Sequence, residues 1–208
     1  MDIEQYTEQH TTPEDETLRW LVRKTYQQTI HPRMLSGRVQ GRFLAMVSAM
    51  IMPRRILEVG TFTGYSALCL LKGLTPDGLL HTIESNDELE DLTRQAIARA
   101  GETSRIVLHI GDALNIIPQI DELFDLIFID GDKREYIAYY EAALSKLRPC
   151  GFILADNVLW DGKVLEEPLL HDPQTQGIAA FNKHVQADSK VENVLLPFRD
   201  GLMVVRKK

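Results

Sequence analysis

Residues 55–66 read RILEVGTFTGYS, and the change of pattern within them decides the fold. The mostly apolar run at 56–59 is typical of a buried strand, and an apolar helical pattern begins at Tyr65. Between the two, Gly60 and Gly64 allow the backbone to turn sharply. The stretch therefore predicts a strand, a tight loop and a helix in succession.

The alternation of strand and helix continues downstream. Strand-like runs lie at 79–85, 105–110, 125–130 and 151–156, and helical patterns lie at 65–74, 87–100 and 134–147. This order indicates an α/β fold with a parallel sheet. The runs at 191–197 and 202–207 indicate an antiparallel pair at one edge. The segment 159–177 has little periodicity and is predicted to be a loop over the site.

Two helices are predicted before residue 55. Thr12 is expected to cap the first, with Pro13 at its first position and Asp15 closing a capping box. The second covers 38–51 and stops at Pro53. One side of this second helix carries Phe43, Met46, Val47 and Met50. We predict a single domain over 1–208, in which the helical region 1–35 helps to cover the substrate site or a dimer interface.

Composition and charge limit the classes of function. The chain has 208 residues, 44% hydrophobic and 25% charged, as expected for one soluble domain. Its longest apolar runs, 44–52 and 67–71, are far shorter than the roughly 20 residues that cross a bilayer. The N-terminus lacks the features of a signal peptide, so a cytoplasmic protein without a membrane partner is expected. A net charge of −7 disfavours polyanions, and a small-molecule substrate is expected.

The residues that end the predicted strands are the candidate site, because open α/β sheets bind ligands there. The loop with Gly60 and Gly64 lacks the G-x-G-x-x-G spacing of dinucleotide enzymes, and alone it leaves a nucleotide-type cofactor and an ordinary turn both open. Glu84 ends the next run, where a carboxylate can accept both ribose hydroxyls; a solvated carboxylate at a helix start is the alternative. Ala113 follows the third run, where a small residue could border an adenine ring.

Polar residues also end the next two strands. Asp130 ends the run at 125–130, Asp156 ends the run at 151–156, and Asn157 follows it. Neighbouring parallel strands would bring these side chains together, and their hard oxygen ligands suit Mg²⁺ or a similar ion. The alternative is that both acids cap helices and that Asn157 is a turn residue.

Lys133 has a chemical role only if that cation is present. An ammonium group beside a cation is destabilised in its charged form, so Lys133 could accept a proton from a hydroxyl held on the metal. The metal would also make the hydroxyl more acidic. A surface lysine paired with Asp132 is the alternative.

Six segments, taken in order, resemble the cation-dependent O-methyltransferases of the caffeoyl-CoA and catechol type. They are EVGTFTGYSAL (58–68), IES (83–85), GDAL (111–114), FIDGDKREY (128–136), ADNVLWDGKV (155–164) and RDGLMVVRK (199–207). The resemblance extends from Met34 to the carboxyl terminus. It implies a Rossmann-like class I methyltransferase fold, with a seven-stranded, mostly parallel sheet, helices on both faces and an antiparallel C-terminal strand pair. It also implies a homodimer.

The resemblance further implies roles for individual residues. S-adenosylmethionine would be bound by Ser36, Glu58, Gly60, Thr61, Ser66, Glu84, Ala113 and Asp130. A divalent cation, Mg²⁺ or another such as Ca²⁺ or Mn²⁺, would be held by Asp130, Asp156 and Asn157, with Lys133 as the base. Trp160 would line the acceptor pocket, although a tryptophan that packs the loop down is equally open.

The acceptor that this combination predicts is one hydroxyl of a vicinal diol on an aromatic ring. The chain start and the loop after Trp160 match no substrate-specific pattern. Methylation of a hydroxylated uridine in transfer RNA is the alternative substrate class, and it would need basic residues gathered on one face, such as Arg33, Arg38, Arg42, Arg54 and Arg55.

Two other classes of protein share the fold. A nicotinamide-dependent oxidoreductase would use the sheet and an acidic ribose ligand, but it leaves Asp130, Asp156 and Asn157 unexplained. A non-catalytic binding module would be expected to have lost some of these ligands or Lys133. A methyltransferase is therefore the leading hypothesis.

Overall fold

The computed structural model describes residues 1–166 and 171–208, apart from the side chain of Glu4. The helices there are α1 Ile3–Gln9, α2 Glu16–Gln28, α3 Gly37–Ile51, α4 Tyr65–Leu70, α5 Glu90–Arg99, α6 Ala113–Ile116, α7 Tyr136–Lys146 and α8 Pro173–Ala187. Short 3₁₀ turns lie at Pro32–Met34, Leu71–Gly73, Asp87–Leu89, Ile117–Gln119, Lys133–Glu135 and Lys163–Leu165. The strands are β1 Arg55–Val59, β2 Leu79–Glu84, β3 Ile106–Ile110, β4 Phe124–Ile129, β5 Leu147–Asp156, β6 Val191–Leu196 and β7 Leu202–Lys207.

In the described ranges, seven strands form one sheet in the order β3-β2-β1-β4-β5-β7-β6. Strands β1 to β5 are parallel, and β7 pairs antiparallel with both β5 and β6. The strand order reverses between β1 and β4, so a crevice opens at their carboxyl ends. The predicted parallel sheet and its antiparallel edge pair are confirmed.

Helices cover both faces of the sheet. Leu21, Leu44 and Leu70 of α2, α3 and α4 are completely buried in one core cluster. Tyr136 and Phe181 of α7 and α8 are completely buried in the other. Each such side chain contributes roughly 1.5–3 kcal/mol by leaving water. No helix in the described part of the chain has the length and hydropathy to span a membrane.

The predicted start of the first helix is wrong. Helix α2 begins at Glu16, and Asp15 is its N-cap, because the Asp15 Oδ1 accepts a hydrogen bond from Leu18 N at 2.9 Å. Thr12 and Pro13 lie before the helix, and α1 precedes them. A single strong cap outweighs the favourable position of a proline.

The helix predicted at 38–51 is confirmed as α3, but its buried face differs from the apolar side that the sequence indicates. Met46 and Met50 are exposed. The buried residues are Gln40, Gly41, Leu44, Ala45 and Ser48. Small and polar residues pack here because α4 and the turn after it approach closely, so that a methyl group at Gly41 would overlap the Tyr65 ring.

The segment predicted as a loop at 159–177 is partly helical. Helix α8 begins at Pro173, and the Asp172 side chain caps it by accepting from Gln174 N and Thr175 N. Proline at the first helical position after an acidic cap is a helix start signal, which the loss of periodicity before it concealed. Residues 167–170 of the predicted loop lie outside the described residues.

Candidate active site

A cavity of about 1100 Å³ lies at the carboxyl ends of β1, β2, β4 and β5. The structure brings most of the predicted site residues to its wall: Ser36, Gly60, Thr61, Ser66, Glu84, Ala113, Asp130, Lys133, Asp156, Asn157 and Trp160. Glu58 is the exception, since it does not line the cavity. The roles of the individual residues stay predictions, but their convergence on one cavity is a finding.

The loop after β1 turns against the ends of its neighbouring strands. Gly60 has φ +98°, and a side chain there would overlap the main chain of Asp130. The amides of Gly60 and Thr61 both donate to Ile83 O, at 3.0 and 3.2 Å. The glycine is therefore required by a positive φ and by a close backbone approach.

Glu84 ends β2 with both carboxylate oxygens engaged. Its Oε2 accepts from Phe62 N at 2.7 Å, and its Oε1 accepts from Asn86 N at 2.9 Å. Burial raises the pKa of Glu84, while these backbone hydrogen bonds oppose the rise. Glu84 is buried, so a solvated carboxylate at a helix start does not describe it.

Glu58 lies behind the cavity wall and is completely buried. Its Oε2 accepts from Thr82 Oγ1 at 2.5 Å, and Thr82 Oγ1 is in turn 2.5 Å from Thr61 Oγ1. Burial raises the pKa of Glu58 to about 8, although the hydrogen bond from Thr82 opposes the rise. The buried Glu58 side chain therefore lies behind the loop that follows β1 and is connected to Thr61 through Thr82.

Asp130 and Asp156 follow a matched register of β4 and β5. Ile129 pairs with Ala155, so the two acids are the next residues on adjacent parallel strands. Asp156 is 4% exposed, and burial together with the charge of Asp130 raises its pKa to about 6. Its Oδ1 accepts from Asn157 N at 2.9 Å.

Neither acid serves as the cap of the helical turn that follows. The 3₁₀ turn after β4 is capped by Asp132, whose side chain accepts from Arg134 N at 3.0 Å. Across 1–166 and 171–208, no group of three or more His, Cys, Asp or Glu side chains is arranged to hold a metal ion. The residues predicted to bind a cation are Asp130, Asp156 and Asn157. They do not form such a group, because Asn157 contributes an amide and only two of the three are carboxylates.

Lys133 is 6% exposed and points into the site. Its Nζ donates to Asp130 Oδ1 at 2.8 Å and to Tyr136 OH at 2.6 Å. Tyr136 OH donates onward to Asp156 O at 2.9 Å. Asp132 instead pairs with Arg134, so the alternative of a surface lysine paired with Asp132 is wrong.

Trp160 combines the two interpretations that its sequence position left open. It lines the cavity and also packs against the core cluster that contains α7. Its ring lies 6.0 Å from Lys133 Nζ and 5.9 Å from Lys163 Nζ, measured to the centroid. The Trp160 ring therefore lies beside the Lys133 amine that donates to Asp130.

Comparisons with known proteins agree with this geometry. The O-methyltransferase family model matches residues 8–208. This chain belongs to the O-methyltransferase family. It is 38% identical to a catechol O-methyltransferase of Niastella koreensis over 161 residues, covering 76% of this chain and 72% of the relative. It is 32% identical to caffeoyl-CoA O-methyltransferase 1 of Eucalyptus globulus, covering 84% and 75%.

A solved structure extends this family membership to the fold. The O-methyltransferase from Bacillus cereus in complex with SAH has a TM-score of 0.91 and 33% identity, covering 99% of this chain and 97% of that one. The predicted family and class I methyltransferase fold are confirmed.

Sequence reasoning missed several residues of this O-methyltransferase site. Tyr136 and Gln40 are buried beside Lys133 and Asp156 respectively, and Phe62 gives its amide to Glu84. Gln40 carried a signal, since it is a polar residue on the buried face of α3. Residues 28–31 and 33–35 also line the cavity. The covering role predicted for 1–35 stays a prediction.

Proposed function

We propose that this O-methyltransferase transfers the methyl group of S-adenosylmethionine to one hydroxyl of an aromatic vicinal diol, with a divalent cation held beside it. The observation that carries the proposal is one cavity lined by the cofactor loop, by Lys133 and by oxygen ligands from two adjacent strands. The names of relatives support the substrate class, since one is a catechol O-methyltransferase.

The cofactor assignment is supported by a structural neighbour that contains SAH. The sharp loop at Gly60 leaves backbone groups at the cavity wall, and Glu84 places a buried carboxylate there. A carboxylate that accepts two backbone hydrogen bonds still has lone pairs for ribose hydroxyls. Ala113 offers a small side chain on the same wall, as an adenine ring requires.

Asp130, Asp156 and Asn157 fit a divalent cation by their charge and chemistry. Two acids end adjacent strands, and burial together with the charge of Asp130 raises the pKa of Asp156. Lys133 hydrogen-bonds to Asp130, and its single positive charge cannot balance the carboxylates of both Asp130 and Asp156. A divalent cation on these oxygens would favour ionisation of an acceptor hydroxyl and would compete with Lys133 for the Asp130 carboxylate.

In this proposal Lys133 acts as the neutral amine, a form that a neighbouring cation would favour, and its Nζ lone pair takes the proton of the acceptor hydroxyl to give the ammonium. Tyr136 fixes the position of the amine, because its hydroxyl accepts from Nζ and donates to the main chain of Asp156. The acceptor oxygen then bonds to the methyl carbon while the sulfur–carbon bond breaks, and neutral S-adenosylhomocysteine leaves. This step needs mainly positioning and deprotonation, since the sulfonium is a good leaving group.

The transfer-RNA alternative gains no support from the arginines on which it depends. Arg38 and Arg42 donate to the main chain near residue 12. Arg54 pairs with Asp77, and Arg55 pairs with Glu122. Four of the five arginines are thus engaged within the chain. Salt-sensitive binding of transfer RNA would reverse this preference.

The test is turnover of a catechol with S-adenosylmethionine and Mg²⁺, before and after a chelator strips the metal. We expect turnover to fall to background and to return when excess Mg²⁺ is added. A matched monophenol, which offers the cation one oxygen instead of two, should react poorly. Undiminished turnover without metal would defeat the proposal. The panel includes unmodified and hydroxylated transfer RNA, so that the alternative acceptor is measured directly.

The homodimer implied by the resemblance stays a prediction. Light scattering during size-exclusion chromatography should give twice the chain mass of 23.7 kDa. A monomeric mass at micromolar concentration would contradict it.

A further inference from the structure

We propose that Gln40 is a positioning residue for Asp156, and that Arg199 holds Gln40 in the orientation that this requires. The inference rests on the proposed function, in which Asp156 is a ligand of the cation. It joins three separate parts of the chain: the first turn of α3, the end of β5, and the turn at 197–201 between β6 and β7.

The Gln40 side chain links Arg199 to Asp156. Its Nε2 donates to Asp156 Oδ2 at 2.5 Å, and its Oε1 accepts from Arg199 Nη1 at 2.7 Å. A guanidinium only donates and a carboxylate only accepts, so one orientation of the amide satisfies both partners. Gln40 is 2% exposed, so water cannot readily replace either partner.

The Asp156 carboxylate is fixed at both oxygens. Gln40 donates to Oδ2, and Asn157 N donates to Oδ1 at 2.9 Å. Rotation of the carboxylate would break a buried hydrogen bond at a cost of about 1–3 kcal/mol. Each oxygen keeps a lone pair for a cation.

An amide is well suited to this position because it orients the carboxylate without neutralising it. A lysine or arginine in place of Gln40 would bring a positive charge against Asp156 and compete with the cation. In the structure the guanidinium of Arg199 is one side chain further away, on the far end of the amide. Groups that hold a metal ligand from behind commonly alter metal affinity by 10- to 100-fold when they are replaced.

The turn that carries Arg199 is fastened to the segment after β5. Val158 N donates to Gly201 O at 3.1 Å, and Leu159 N donates to Asp200 O at 2.9 Å. The turn therefore moves together with the residues that follow Asp156. This coupling explains why a residue on an exposed turn can orient a buried carboxylate.

The experiment measures Mn²⁺ binding to the full chain by electron paramagnetic resonance of the free ion. Gln40→Met keeps the side-chain length and removes both hydrogen bonds. We expect its Mn²⁺ dissociation constant to rise about tenfold, with SAH affinity in metal-free buffer changed less than twofold. Gln95→Met, at an exposed position of α5, is the matched control and should change neither quantity.

A double-variant cycle distinguishes positioning from a general structural effect. Arg199→Met should weaken Mn²⁺ binding by less than Gln40→Met does. The double variant should bind Mn²⁺ as well as Gln40→Met alone, because Arg199 acts through Gln40. Losses that simply add would overturn the inference.

Two further outcomes decide the remaining cases. If Gln40→Met does not fold, Arg199→Met and Arg199→Lys decide the matter. The lysine keeps a hydrogen-bond donor, so Arg199→Lys should bind Mn²⁺ more tightly than Arg199→Met. Equal Mn²⁺ affinities in these two variants would overturn the inference. Mn²⁺ binding that is equal in wild type and Gln40→Met overturns the inference alone. No Mn²⁺ binding by the wild type defeats the proposed cation site, and the inference with it.

Discussion

A methyl group at Gly60 would overlap the main-chain carbonyl of Asp130, because the loop after β1 passes directly against the end of β4. The loop predicted to bind the cofactor and the acid predicted to bind the cation are thus packed backbone to backbone. The absence of a side chain at Gly60 therefore sets the distance between this loop and Asp130.

Gly60→Ala should therefore destabilise the protein by about 3 kcal/mol or more, since overlap with backbone adds to the strain of a positive φ. Gly101→Ala is the matched control, because Gly101 also has a positive φ (+75°) but open space where the side chain would lie. It should lose only about 1 kcal/mol. Urea unfolding measures both variants. Equal losses would mean that strain alone, and not packing on Asp130, requires the glycine.

Lys133→Ala should lower the turnover rate by about 10²- to 10⁴-fold, the usual contribution of a general base. SAH affinity, measured by calorimetry, should change less than twofold. Lys163→Ala is the control, because Lys163 Nζ lies about as close to the Trp160 ring as Lys133 Nζ does. Of the two lysines, Lys133 is the one that donates to Asp130. If the SAH affinity of Lys133→Ala fell by as large a factor as its turnover rate, the role assigned to Lys133 would be wrong.

Glu84→Gln should weaken cofactor binding about tenfold. The amide has one acceptor oxygen where the carboxylate has two, and it lacks the negative charge that strengthens hydrogen bonds from the ribose hydroxyls. Turnover at saturating cofactor should be largely retained. The control is Glu88→Gln, which changes an exposed acid lining the same cavity. An equal loss of affinity in both variants would count against a ribose contact at Glu84.

Glu58 should make stability fall as pH rises. The pKa of Glu58 is about 8 in the folded protein against an ordinary value of 4.5, so the folded state keeps a proton that the unfolded chain releases between these values. The contribution to stability is full below pH 4.5 and is lost as pH rises towards 8. Glu58→Gln cannot ionise, so its stability relative to wild type should increase by on the order of 4 kcal/mol between pH 4.5 and 8.

Urea unfolding at a series of pH values measures this difference. Glu8→Gln, an exposed position in α1, is the control and should track the wild type throughout. A constant offset between Glu58→Gln and wild type at all pH values would show that folding does not raise the pKa of Glu58.

Much of the fold follows from local pattern. A strand, a glycine turn and a helix are each specified by neighbouring residues, so the strand runs at 55–59 and 125–129 and the edge pair at 191–207 could be located from the sequence. The carboxyl ends of parallel strands meet at one edge of a sheet. This is why Glu84, Asp130 and Asp156 could be placed at a common site from their positions along the chain.

The sequence by itself determined the strands, the glycine loop and the polar residues at the strand ends, because each depends on a few consecutive residues. The tertiary structure decided that Glu58 lies behind the cavity wall and that Gln40 reaches Asp156, 116 positions away, and Arg199, 159 positions away. Contacts over such separations leave no periodic trace in the chain. They form only when packing of α3 on the sheet buries a polar side chain that must then find partners.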